Sequence, residues 1–267
     1  MSVQDFESFV VVVTGASTGL GRAIAIETAR RGAADVIVNF ARSAEEAETT
    51  AALVRAEGAR AHLVQGDVSR DEDCRAIAAA AASLGRIDAL FNNAGVTKFA
   101  QNHADLEAVS AEDFLSLYSV NVVGAFQMVR AARSLLEAAP QPGAVVNTSS
   151  IAGVVGIGSS VPYAASKGAM NTLTLSLARA LAPRIRVNAV CPGFIDTPWF
   201  GKGMSEERVA RLREGSAAAT PLKVVSSADD IAATAAFLAS RQSRHVTGET
   251  LLVDAGSHLG FATLSMR

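Results

Sequence analysis

Tyr163 and Lys167 stand four residues apart in Tyr163-Ala-Ala-Ser-Lys167, and a hydroxyl, Ser150, lies thirteen residues upstream. If residues 162–182 form a helix, the phenol and the ammonium share one face, with roughly 6 Å between their Cβ atoms. A free phenol titrates near ~10 and is a poor proton donor or acceptor at neutral pH, whereas a nearby cation favours the phenolate and draws that value down. A tyrosine tuned in this way exchanges a proton with an alcohol or a carbonyl. An exposed lysine on an ordinary amphipathic helix has the same spacing, so the pair gains meaning only from the elements around it.

The first of those elements is a glycine loop. Residues 9–13 are a continuous β-branched and aromatic run, the pattern of a strand buried on both faces. They lead into Thr14-Gly15-Ala-Ser17-Thr18-Gly19-Leu20-Gly21, after which Leu20, Ile24, Ala25 and Thr28 recur at helical spacing up to Arg31-Gly32. This order lets the backbone approach a ligand closely and aims the free N–H groups of a helix N-terminus at a diphosphate. Further strands are expected at 36–39, 61–65, 87–91, 143–148, 185–190 and 250–253. Helices are expected at 44–57, 69–84, 114–138, 162–182, 205–214 and 227–239, with Ser69-Arg-Asp-Glu72 a cap-like start. Alternation of this kind implies right-handed crossovers and a parallel sheet, seven-stranded by this reading. No change of composition divides the chain, so residues 1–267 read as one α/β domain.

Between these elements, residues 97–113 form a polar excursion and 151–161 a Gly/Ser-rich loop ending at Pro162. Residues 194–220, with Trp199, Phe200 and Met204, read as a mobile lid. Asn121 falls inside the helix at 114–138, where an amide competes with the backbone, so its place there wants a reason, the plain one being a solvated surface.

Totals bound the function. With 24 basic and 26 acidic residues the net charge is −2, and charged residues make up only 19%. Disorder is not expected, and nothing favours nucleic acid or an anionic membrane as partner. No apolar run approaches the roughly 20 residues that span a bilayer, and residues 1–7 lack the pattern of a signal peptide, so a cytoplasmic protein is expected. Cys74 and Cys191 suit neither a disulfide framework nor a zinc site, and His62, His103, His245 and His258 show no pairing. No metal is expected, and Cys191 reads as a core residue.

Together the motifs resemble those of the short-chain dehydrogenase/reductase family over nearly the whole chain. Thr14-Gly15-x-x-x-Gly19-x-Gly21 is similar to the family's T-G-x-x-x-G-x-G, and Asn92-Asn93-Ala94-Gly95 to its N-N-A-G. Asn121, Ser150, Tyr163 and Lys167 fall where its catalytic four are expected, and Pro192-Gly193 with Thr197 resembles its P-G-x-x-x-T loop. The closing Asp254-Ala255-Gly256 differs from D-G-G at Ala255. The resemblance implies a Rossmann fold, a doubly wound parallel sheet with helices on both faces, and NAD(P)-dependent hydride transfer between a ketone and a secondary alcohol. It makes Tyr163 the acid or base, and Lys167 the group that lowers its pKa and holds the nicotinamide ribose. Ser150 becomes the hydrogen-bond partner of the substrate oxygen, and Asn121 the support of a relay water near Lys167. Gly15, Ser17, Thr18, Gly19, Leu20 and Gly21 would take the diphosphate. Asp67 and Val68 would line the adenine, Asn93, Ala94 and Gly95 would follow, and Pro192, Gly193, Ile195 and Thr197 would cover the nicotinamide.

The choice of nicotinamide turns on the end of the second strand. An acid there accepts the ribose hydroxyls of NAD and repels a 2′-phosphate. Asn39, Phe40, Arg42 and Ser43 hold no such acid, and Arg42 with Ser43 can bind a phosphate, so NADP(H) is favoured and NAD(H) is the alternative. Ser17-Thr18, where many NADP-binding relatives carry a base, argues the other way. The apolar residues of the lid, with Val154, Val155 and Ile157, suit a small carbonyl or alcohol substrate. Val36-Ile-Val-Asn39-Phe40 and the glycine loop resemble bacterial 3-oxoacyl carrier-protein reductases, which extends the candidates to acyl thioesters. Only Arg130, Arg133 and Arg184 could meet an acidic carrier, a departure from that branch. A homotetramer is the family's common state. Other readings are a sugar or secondary-alcohol dehydrogenase using NAD, and a dinucleotide-binding regulator without turnover.

Overall fold

The four valines of the first strand, β1 (Val10–Val13), are all buried and divide their side chains between two cores. Val11 and Val13 join one, Val10 and Val12 the other, as the two-residue period of a strand requires. In the computed structural model, which describes residues 4–201 and 205–260, β1 sits inside a seven-stranded sheet. The other strands are β2 (Asp35–Phe40), β3 (Arg60–Gln65), β4 (Ala89–Asn92), β5 (Gly143–Thr148), β6 (Ile185–Pro192) and β7 (Thr250–Val253). Their order is β3-β2-β1-β4-β5-β6-β7, and every neighbouring pair is parallel. The winding reverses between β1 and β4, and in open α/β sheets ligands bind at the carboxyl ends of the strands beside such a reversal.

Ten α-helices lie among the described residues: α1 (Gly19–Arg30), α2 (Ala44–Ala56), α3 (Asp71–Ala79), α4 (Ala111–Tyr118), α5 (Ala125–Glu137), α6 (Ala152–Val155), α7 (Val161–Leu181), α8 (Pro198–Gly201), α9 (Glu206–Ala219) and α10 (Ala228–Ala239). Ile24 of α1, Val54 of α2 and Ile231 of α10 cover the first core. Ile77 of α3, Met128 of α5 and Ala178 of α7 cover the second, so the sheet is wound on both faces as expected. Met204 lies outside the described residues. No described helix is long and apolar enough to cross a membrane.

Four expectations about helices change, the one at 205–214 only in that α9 runs on to Ala219. The helix expected at 69–84 is shorter, because Ser69 turns its N–H and hydroxyl onto Asp67 Oδ1 at 3.0 and 2.8 Å, so it closes a local turn instead of capping. The helix expected at 114–138 starts earlier, where Ser110 and Asp113 form a capping box, and it is broken by a π-helical turn at Ser119–Gly124. The expected loop at 151–161 contains α6.

At the opposite edge from the carboxyl ends, Asp35 starts β2 as a buried carboxylate that accepts Arg60 at 2.7 and 2.5 Å and pairs with His62 at 2.8 Å. Burial pulls its pKa up, but the hydrogen bonds and charges of Arg60 and His62 outweigh burial and hold the carboxyl below its ordinary value. A depressed folded-state pKa contributes stability that is complete above the unfolded value of about 3.9 and disappears as pH falls through the folded value. Urea unfolding at pH 7 and at pH 3 should therefore show that Asp35→Asn is destabilising at pH 7, with the gap to wild type closing at pH 3. An unchanged gap would contradict this role.

Candidate active site

The glycine loop is shaped by backbone contacts that exclude side chains. Gly15 and Gly19 have φ of +61° and +56°, the left-handed region that glycine adopts without strain. A β-carbon on Gly15 would stand 2.8 Å from the Cα of Ala94, and one on Gly21 would collide with the Gly15 carbonyl and lie 2.5 Å from Asn93 Nδ2. Thr14 completes the join, since its hydroxyl accepts the N–H groups of Asn93 and Ala94, both at 3.0 Å. Asn93 in turn donates to the carbonyls of Thr14 and Gly15 at 3.1 and 3.2 Å. The loop after β1 and the loop after β4 are thus one unit.

α1 leaves this unit with an N-terminus suited to an anion. Thr18 at its N-cap is extended and makes no side-chain cap, and its first turn contains no acid. Leu20 is buried in the core, so only its backbone faces the loop. Arg22 passes beneath: its guanidinium donates to the Ser17 carbonyl at 3.2 and 2.7 Å and to Thr50 Oγ1 at 2.9 Å, and it pairs with Glu46. Sequence reading missed this brace. Its one signal was a cation in the first turn of a helix, where the dipole disfavours it.

At the end of β2 the expected contacts divide. Asn39 is buried and directed inward: Oδ1 accepts Gly15 N at 3.2 Å, and Nδ2 donates to the carbonyls of Val64 and Gly66 at 3.2 and 3.0 Å. Phe40 is only 8% exposed and packs in the first core. Neither side chain reaches outward as expected, because the sheet interior claims an amide that can satisfy three backbone groups and an aromatic ring. Arg42 and Ser43 are exposed. Asp67 accepts Ser69 N–H, which holds its carboxyl low; burial opposes this, while the Ser69 hydroxyl and the charges of Arg42 and Arg70 add to the lowering. Arg42 therefore lies within electrostatic reach of Asp67. Val68 is buried, and a β-carbon on Gly124 would stand 2.8 Å from its Cγ2.

The four residues read as catalytic converge at the carboxyl ends of β4 and β5. Ser150 follows β5, is nearly buried and accepts Ala152 N–H at 3.1 Å, and its side chain is close enough to the Tyr163 hydroxyl to pull the phenol's pKa down. Tyr163 is half-buried in the first turn of α7, whose N-cap Ser160 accepts its N–H at 3.4 Å. Lys167, one turn on and 5% exposed, donates from Nζ to the Thr148 carbonyl at 2.7 Å, with Nζ 5.7 Å from the centroid of the Tyr163 ring. Asn121 is buried in the π-helical turn, not in a regular helix. It accepts Val96 N–H at 2.8 Å and donates to the Val96 carbonyl and to Ser166 Oγ, both at 3.0 Å. Ser166, which sequence reading passed over, donates back to the Tyr163 carbonyl at 2.8 Å and so ties Asn121 to the helix of Tyr163.

Burial governs the electrostatics of Tyr163 and Lys167 in the protein alone. Burial pushes the Tyr163 phenol up from its ordinary value, and the Ser150 hydrogen bond only partly offsets this. Burial also pulls the Lys167 ammonium down to about 8, with a small opposing pull from Cys191. In the protein alone burial outweighs every opposing influence on the phenol, while Lys167 Nζ is held on the Thr148 carbonyl 5.7 Å from the centroid of the ring. Cys191 is buried with its thiol pushed up by burial, consistent with a core residue.

Space for a cofactor follows from Gly95. A β-carbon there would stand 3.4 Å from Asn121 Oδ1 and 3.8 Å from Lys167 Nζ, so glycine leaves a cradle on which both polar groups look. Beyond it, the Pro192 carbonyl accepts Ile151 N–H at 2.9 Å and Gly193 N–H donates to Val253 at 3.2 Å. Ile195 packs on the first core and pairs with Ser226 in an isolated parallel bridge. A β-carbon on Gly19 would lie 3.7 Å from Thr197 Cβ, which places Thr197 over the glycine loop. An uncapped helix N-terminus, glycines that admit backbone approach and a polar cradle at Gly95 fit a nicotinamide dinucleotide running from Gly19 to Tyr163.

Known proteins share this arrangement. Residues 15–258 match the family profile described as Enoyl-(Acyl carrier protein) reductase. The chain is 41% identical over 254 residues to ketoacyl reductase 2 of the granaticin polyketide synthase of Streptomyces violaceoruber, covering 95% of this chain and 97% of the relative. It is 36% identical to the L-rhamnose 1-dehydrogenase (NAD(P)(+)) of Sphingomonas sp., covering 95% and 97% of the two chains. Among solved structures, a short-chain dehydrogenase from Burkholderia cenocepacia in complex with NADP superposes with a TM-score of 0.83 at 31% identity, covering 95% of this chain and 99% of the other.

Proposed function

The chain belongs to the short-chain dehydrogenase/reductase family, and from that premise we propose that it moves hydride between NADP(H) and a ketone or secondary alcohol, with Tyr163 as proton donor or acceptor. The observation that carries this reading is the convergence of Ser150, Tyr163 and Lys167 beside the cradle at Gly95. When bound, the nicotinamide supplies or accepts the hydride. Ser150 and Tyr163 orient the carbonyl oxygen by hydrogen bonds, and Tyr163 Oη gives it a proton as carbon accepts hydride, or removes that proton in oxidation. Lys167 Nζ, anchored on Thr148, places positive charge near the phenol and toward the cradle. Asn121 fixes the Val96 backbone and, through Ser166, the turn that holds Tyr163.

Arg42 within reach of Asp67, and the absence of an acid from Asn39 to Ser43, support NADP(H). Steady-state oxidation of NADPH and NADH over a panel of ketones tests both parts. Ketone-dependent loss of absorbance with NADPH favoured is expected, and Arg42→Ala should narrow the preference about ten-fold, the loss of one charged contact. Tighter use of NADH by the wild type would reverse the assignment. The rhamnose dehydrogenase relative favours a second reading, sugar oxidation, which the same panel run backwards with aldoses addresses.

A cytoplasmic homotetramer completes the proposal. Leu115 of α4, Val123 of the π-helical turn, Phe126 of α5, and Val161 and Leu175 of α7 leave apolar surface exposed on the helices flanking Asn121 and Tyr163. Light scattering at micromolar concentration should report a tetramer, and a monomer would refute it.

A further inference from the structure

The segment from Ile151 to Pro162, which joins Ser150 to the helix of Tyr163, contains no charged residue. Gly158 lies against the catalytic ring: a β-carbon on it would stand 3.3 Å from Tyr163 Cδ1. Ile157, flanked by Gly156 and Gly158, is 53% exposed at this position. Trp199 of α8, two residues beyond Thr197, is 37% exposed.

Several polar groups near this segment are, among the described residues, already engaged. The Ser159 hydroxyl pairs with that of Thr97, Ser160 caps α7, and Asn171 Nδ2 donates to the Gly153 carbonyl at 3.2 Å. Asp196, the one charged residue from Phe194 to Trp199, pairs with Arg213 at 2.8 Å, and Lys98 pairs with Asp113 at 3.2 Å. The three bases expected to meet a carrier are held too: Arg130 on Asp71 at 2.6 Å, Arg133 on Glu137 at 2.8 Å, and Arg184 on the Glu137 carbonyl. A site that selects a polyol must offer polar groups to its hydroxyls, and one that selects a phosphate must offer a cation.

We infer that the substrate presents its carbonyl on an uncharged, apolar body that packs on Ile157 and Trp199, and that the site selects neither a polyol nor an anionic carrier. The inference deepens the proposed ketone reduction and rests on it. Ser150 and Tyr163 serve the oxygen, and everything beyond the carbonyl is recognised by area.

Recognition by area has a graded signature. With NADPH and methyl ketones from butanone to nonanone, kcat/KM should rise about four-fold per methylene over the first several members, the equivalent of ~0.8 kcal/mol for each buried CH₂. Ile157→Ser should lower the nonanone-to-butanone ratio several-fold. Aldoses such as L-rhamnose, tested as alcohols with NADP⁺, should fall about a hundred-fold or more below a matched apolar secondary alcohol. Acetoacetyl-coenzyme A should do no better than its N-acetylcysteamine analogue. A flat ketone series, or preference for the aldose or the coenzyme A ester, would overturn the inference while leaving hydride transfer intact. No turnover of any substrate by protein that binds NADPH would instead remove the proposed function, and the inference with it.

Discussion

Tyr163→Phe should lower kcat/KM for ketone reduction about a thousand-fold while the affinity for NADPH changes by less than about three-fold, the range for loss of a positioned general acid. The substitution removes one hydroxyl and keeps the ring, so the contact with Gly158 and the stacking of Lys167 beside the ring persist. Ser150 retains the Ala152 N–H and is not left without a partner. A merely structural Tyr163 would show the reverse pattern, with weakened folding and near-normal turnover of what folds. The pH profile supplies a second readout. Because burial brings Lys167 to about 8, its charge is present below that value and lost above it, so the wild-type reduction rate should bend downward as pH rises through about 8. Lys167→Met should remove the bend. Turnover within ten-fold of wild type in Tyr163→Phe would assign the proton to another group.

Gly153→Ala should cost about 2 kcal/mol of stability and about a hundred-fold in kcat/KM, effects of overpacking against rigid backbone and of misplacing a reacting group by about 1 Å. A β-carbon on Gly153 would stand 2.6 Å from the Lys167 carbonyl oxygen and 2.7 Å from Gly168 N, and neither atom is the end of a flexible chain. α6 would have to lift from α7, and the chain entering α6 is the one that carries Ser150. The control is on the other side of the same contact. A β-carbon on Gly168 would meet only the Gly153 carbonyl, at an ordinary 3.6 Å. Gly168→Ala should therefore be neutral or stabilising by up to about 1 kcal/mol, as alanine is favoured over glycine in a helix. Denaturant unfolding of both variants decides between close helix packing and a general intolerance of side chains here.

The sheet was legible because its signal is local. Continuous apolar runs such as Val10–Val13 in β1 and Ala144-Val145-Val146 in β5 are the pattern of strands buried on both faces, and β5 and β7 fall at their expected bounds. The glycine loop and the Tyr163–Lys167 spacing were legible for the same reason. What sequence could not supply was the destination of polar side chains, which depends on neighbours distant in the chain. Asn39 turns onto a carbonyl of the strand beside its own, and Arg22 spans from α1 to α2. Gly153 looked like one glycine among several in a loop, and only the approach of α7 gives it a role. Helical spacing fixes how far Lys167 lies along α7 but not that its ammonium turns onto the Thr148 carbonyl.

The central claim is that this site transfers hydride to a carbonyl carbon. NADPH deuterated at C4, on each face in turn, should be incubated with the ketone that the panel shows to be turned over best, and the product alcohol examined by mass spectrometry. One face should deliver deuterium to the carbinol carbon in full and the other none, with Tyr163→Phe making the same transfer about a thousand-fold more slowly. Product alcohol free of deuterium from both faces, or cofactor oxidation without any alcohol formed, would contradict it.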